Sequence, residues 1–235
     1  MTQRSILAGQ SPGVVIRAGG DVRVEGWDSD RILAHTDSRR GLKVERRSES
    51  EIGRARAKVG DRVLFDVRLN VSNPLKKGQP GEVIEVQIGG SGKVHVPRSS
   101  KVKVYTGKNA EAQDIQGGVT VYAGRDARIR GVHTLIQATA GGSLDLECEE
   151  VAGDGVRFTA GRELRCYVHR LTDATFLIDD LGGHWEAVLG DGRTTIHLNA
   201  GGDVTLVTDQ TVTGLPPYEA MGNVERPSAA SNESA

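Results

Sequence analysis

Aromatic residues are scarce in this chain, at 4% of the total, with three Phe, four Tyr and two Trp. An ordinary globular core draws on such side chains because each buries a large area. Their scarcity excludes a thick aromatic core and leaves Val, Ile, Leu and Ala to do the packing. Cysteine is nearly absent as well. Cys148 and Cys166 cannot build a disulfide framework or, by themselves, a four-ligand zinc site. No stretch approaches the ~18 consecutive apolar residues that span a bilayer as a helix, so membrane insertion is not expected. The start of the chain, "MTQRSILAGQSPGVVIRAGG", has no apolar run of signal-peptide length. The expected location is therefore cytoplasmic by default, with non-standard export left open. An excess of one charge is also missing: 30 basic and 31 acidic residues leave a formal net charge of −1. That balance gives no electrostatic footprint for nucleic acid, and none is expected as a partner.

Glycine is abundant, with 31 residues, and it recurs inside a repeated phrase. "TVYAGRDARIRGV" (120–132), "RFTAGRELRCYV" (157–168) and "TIHLNAGGDVTLV" (195–207) share one shape. Each is a short alternating run, a small residue plus Gly, and a second alternating run. Aligned on Gly19, Gly107, Gly124, Gly141, Gly161, Gly182 and Gly201, the positions three and five residues to either side are apolar with one exception, Asp179. Spacing of two predicts strands with one buried face. The Gly between them predicts a sharp corner, where positive φ costs nothing. Successive anchors from Gly107 onward stand roughly 17 to 21 residues apart, the length of one coil in a stacked repeat architecture. The pattern predicts an all-β fold: a single-stranded parallel β-solenoid (β-helix or β-roll) whose core exists only because neighbouring rungs stack.

Outward positions give an independent register check. Four residues past successive anchors stand Glu111, Arg128, Asp145, Arg165 and Glu186, then Thr205. Charge alternates in sign, as a surface ladder of adjacent strands requires, since like charges directly opposite one another repel. The domain reading is an N-terminal arm over 1–11, a solenoid domain over 12–211 that is irregular or loop-containing around 39–90, and a disordered C-terminal tail over 212–235. The tail is rich in Pro, Ser, Ala and Asn without periodicity.

The segment "KVHVPRSSKVKVYTGKNAEAQDIQGGVTVYAGRDARIRGV" resembles the bacterial putative-adhesin β-solenoid domain family. That family's phrase is a strand ending in Val-Pro, a K-V-K-V-x-T-G strand, then rungs rich in Gly-Asp. "AGGDVRVEGWDSDRILAHTDSRRGLKVERR" is similar to its opening rungs. The resemblance covers roughly residues 12–208. It departs from the pattern at Lys108-Asn109 and Arg162-Glu163, where Gly-Asp would follow Gly. It implies a β-solenoid with an adhesin-like role. A second resemblance is to bactofilins, cytoskeletal β-solenoids that polymerise end to end.

Candidate chemistry is sparse. Asp179, Asp180 and His184 in "FLIDDLGGHW" carry ligand types suited to a metal or to acid–base work. A β-bulge that turns Phe176 and Ile178 inward is the simpler account of Asp179 in the grid. The six histidines show no metal-protease spacing, and both cysteines fall at inward positions as small hydrophobes. "AGGDV" at 18–22 and 200–204 lacks the tandem glycine-aspartate repeat of a calcium roll. No catalytic residue, metal or cofactor is expected. The expected function is a non-enzymatic structural scaffold, self-associating through solenoid ends or faces as a homo-oligomer or filament. The alternative is an adhesin-like or carbohydrate-binding surface protein, and after it a polysaccharide-active enzyme.

Overall fold

The computed structural model describes residues 1–9, 11–38, 41–48, 57–59, 62–65, 82–151, 155–170, 173–181 and 183–208. The sequence-predicted tail over 212–235 lies outside the described residues, as does Gly182. The described residues are all-β, without a helix. They begin with β1 (Thr2–Leu7), β2 (Gly13–Ala18), β3 (Val22–Trp27), β4 (Arg31–Thr36) and β5 (Leu42–Ser48). A separate antiparallel hairpin of β6 (Ala57–Val59) and β7 (Arg62–Phe65) follows. Next come β8 (Glu82–Ile88), β9 (Gly92–Pro97), β10 (Lys101–Thr106), β11 (Ala110–Gln113), β12 (Gly118–Ala123) and β13 (Ala127–Ala140). The chain continues through β14 (Leu144–Val151), β15 (Val156–Ala160), β16 (Leu164–Val168) and β17 (Ala174–Asp180). It closes with β18 (Gly183–Leu189), β19 (Thr194–Ala200) and β20 (Val204–Thr208).

Strand pairing falls into two ladders. One runs β5–β8–β2–β10–β12–β13–β15–β19–β17–β18. The other runs β1–β4–β9–β3–β11–β13–β14–β16–β20. The long strand β13 belongs to both and joins them into one 18-stranded sheet. A single apolar cluster takes side chains from both ladders, so the core lies between them. Period-two alternation explains the strands: in β3, Val22 and Val24 are buried while Arg23 is exposed, and β16 repeats this with Leu164, Arg165 and Cys166.

Several sequence expectations are corrected here. The sheet is mixed: pairing is parallel through the middle, but β1, β4, β5 and β18 pair antiparallel at the ends. Stacking does not follow chain order. β2 lies between β8 and β10, and β3 between β9 and β11. Likewise β15 pairs with β19, leaving β17 on the far side of β19. Ile136, expected inward, is 42% exposed, while Leu135 is fully buried. The cause is a register shift opposite Val119 and Thr120, which bulges Ile136 outward.

Phe176 and Ile178 do face inward, at 0% and 1% exposure, but no bulge in β17 is responsible. Ile178 stands directly opposite Leu198, and the register is unbroken from Ala174 to Asp179, so the inward positions lie one residue before those expected from Gly182. The anchor at Gly182 was therefore offset by one residue. The segment then reverses into an antiparallel hairpin. No helix among the described residues is long and apolar enough to cross a membrane.

Candidate functional site

The corner between the two ladders concentrates the repeated residues. Gly19, Gly107, Gly124, Gly141, Gly161 and Gly201 stack in one column that also includes Gly89, and each donates its N–H to the residue before the neighbouring glycine, as Gly124 does to Thr106 O at 3.0 Å. None of these glycines has a positive φ. Their requirement is close approach instead: a Cβ on Gly124 would stand 2.5 Å from Gly107 O, and one on Gly141 2.5 Å from Gly124 O. The residue preceding most of them is small and buried, as at Ala18, Ala123, Ala140, Ala160 and Ala200.

Two residues past each corner glycine runs a polar column that the sequence reading missed. Asn109 Nδ2 donates to Asp21 Oδ1 at 2.8 Å, and Asp126 N donates to Asn109 Oδ1 at 3.1 Å. Ser143 N and Arg162 Nη2 each donate to Asp126 Oδ1 at 2.8 Å. These side chains satisfy backbone N–H groups that the turn leaves outside the ladders. They line an open groove with Arg128 and Asp145. The signal was present in the sequence, because the polar residue recurs at a constant offset from the glycine.

Asp126 is held below the usual carboxylate range, first by the Ser143 N–H and then by the Arg162 guanidinium, against a smaller opposing effect of burial. Asp126→Ala is expected to cost about 1 kcal/mol at neutral pH, as measured by urea denaturation. A folded pKa below the unfolded one means the contribution is complete above the ordinary aspartate value of 3.8. It is lost as pH falls through the folded value. The gap between wild type and variant should thus narrow only in acid; a gap unchanged between neutral and strongly acidic pH would refute a role for the charge.

Along the outer face of the second ladder, Arg23, Glu111, Arg128, Asp145, Arg165 and Thr205 stand opposite one another on successive strands. Arg23 Nη1 lies 3.6 Å from Glu111, and Arg128 Nε 3.4 Å from Asp145, which also takes Arg130 at 3.1 Å. Glu186 is outside this row, on β18 opposite Leu177. The pairs are exposed, and each is worth at most ~1 kcal/mol.

Two denser groups lie beside this row. His133 Nδ1 contacts Glu149 at 2.9 Å, and His169 Nε2 contacts Glu147 at 3.3 Å. Sequence spacing hid this group, because β13 shifts register between Ile129 and Val132. At the other end of the ladder, the Trp27 ring lies 5.2 Å from His95, which is 6.0 Å from His35. On the first ladder, Glu85 is buried and paired at 3.0 Å with both Arg17 and Arg47.

Asp179 and His184 meet at 2.7 Å on the exposed β17–β18 hairpin, and Asp180 stands opposite Gly183. Among the described residues no three His, Cys, Asp or Glu side chains are placed to hold a metal ion. Cys148 and Cys166 are both buried, and burial pushes the Cys148 thiol up to about 12 and Cys166 well above its ordinary value. Neither is an activated nucleophile.

No protein-family model matches the chain, and no curated protein matches it. Among solved structures, the chain has a distant likeness to a putative cell adhesion protein from Clostridium sporogenes. The two are 7% identical with a TM-score of 0.42, over 88% of this chain and 98% of that one.

Proposed function

We propose that this chain is a β-solenoid serving as a structural scaffold, without catalytic activity, and that it self-associates into a homo-oligomer or filament. The supporting observation is how its polar side chains are engaged. Asp21, Asn109 and Asp126 hold backbone groups of adjacent turns, and Arg23, Arg128 and Arg130 sit against carboxylates across neighbouring strands. Such groups tie neighbouring strands to one another. Edge strands recruit further strands unless charge blocks them. β5 carries Lys43, Glu45, Arg46 and Arg47, whereas β20, "VTLVT", carries no charge. Light scattering over a concentration series, with negative-stain microscopy, should show mass rising above the monomer; a strict monomer at the highest concentration would defeat this reading.

A second reading, an adhesin-like or carbohydrate-binding surface protein, is supported by the Trp27–His95–His35 group on an outward face. Cell fractionation tests it, and a purely cytosolic distribution would count against it.

A further inference from the structure

Solvent-facing positions on the second ladder are mostly charged, as a one-sided sheet should be. Near its antiparallel end the pattern changes. Trp27 points outward from β3, His95 from β9, and Leu33 and His35 from β4, all half-buried. Beside them Leu7 is 51% exposed, one of few large apolar side chains so placed among the described residues.

The ring is held in place. Trp27 Nε1 donates to the Arg31 carbonyl at 2.8 Å, and His95 backs it at a 37° tilt. Burial, the largest influence on His95, lowers its pKa and so favours the neutral imidazole, which can both donate and accept. The rim is polar and paired. On the same outward face, two residues before Trp27 and His95, Glu25 pairs with Lys93 at 2.6 Å. His35 Nδ1 is shielded from solvent and has no hydrogen-bond partner among the described residues.

We infer that Trp27 is the platform of a glycan-binding site on the outer face of β3, β9 and β4, which accepts a pyranose ring of a neutral polysaccharide. A sugar ring offers an apolar C–H face, attracted to the negative face of an indole, and hydroxyls around its edge. The observed arrangement complements both: a fixed indole on the same face as a Lys93 ammonium that donates and a Glu25 carboxylate that accepts. A charged partner would instead be drawn to the alternating row, where cations already meet carboxylates. The ligand class rests on the second reading above; the site is additional to it.

Native electrophoresis through gels containing hydroxyethylcellulose, laminarin or galactomannan tests the inference. At least one polysaccharide should retard the wild-type protein, and Trp27→Ala should weaken its binding at least tenfold. Lys93→Ala, at a half-exposed position on the same face, should weaken it less and keep the melting temperature. It decides the matter if Trp27→Ala loses its melting transition. No retardation by any of the three would overturn both the site and the carbohydrate-binding form of the second reading. Retardation undiminished in both variants would overturn the site alone.

Discussion

Gly124→Ala is expected to destabilise the protein by about 3 kcal/mol, the upper part of the range for forcing extra atoms into a packed interior. The added methyl would lie 2.5 Å from Gly107 O and 2.9 Å from its carbonyl carbon. Both are main-chain atoms of the neighbouring turn, fixed by the Gly124 N–H bond to Thr106 O and by pairing on either side. No rotamer change can relieve the contact, so adjacent turns must separate. For a chain of this size the loss corresponds to a fall in Tm of roughly 6–12 °C. Gly155→Ala is the control. Gly155 has a φ of +69° with nothing within 4 Å of the added atom, so it should cost only about 1 kcal/mol for the left-handed backbone. Equal effects at the two sites would show that close stacking is not what the corner glycines serve.

The second large effect is expected at Phe158. Phe158→Ala should cost about 3–5 kcal/mol, the usual range for emptying a buried aromatic site. Phe158 is fully buried and stands between Ala138 on β13 and Leu198 on β19. Paired strands on both sides prevent the backbone from closing the cavity. Phe158→Leu fills most of the space and should cost roughly 1–1.5 kcal/mol. Urea midpoints with an unchanged m-value measure both. A loss below about 1.5 kcal/mol for the alanine variant would mean that the core there is loosely packed.

Inward positions were largely legible in the sequence. Val102, Val104, Val119, Val121, Leu144 and Leu146 follow the alternation and are all buried. The failures have identifiable causes. Ile136 and Leu135 exchanged roles because a bulge changes register without changing composition. The turn at Gly89 escaped because Gly92 occupies the place three residues past it, where other turns carry an apolar residue; a Cβ there would meet His35 O at 2.5 Å. The Trp27–His95–His35 group and the His133–Glu149 contact were not legible. Their members are brought together only by which strands lie side by side.

By itself the sequence determined the all-β character, the inward and outward faces of most strands, and the corners, because each depends on neighbours a few residues apart. Tertiary structure alone decided the order of stacking, the antiparallel pairing of β1, β4, β5 and β18, and the reason for the corner glycines. Turns built on one phrase offer nearly the same pairing surface to one another. Which turn meets which is settled by long-range packing, so nothing local places β2 and β3 between segments that follow them in the chain. The glycines likewise looked like sites of unusual φ, and only the stacked carbonyl of the neighbouring turn shows that they are sites where no Cβ fits.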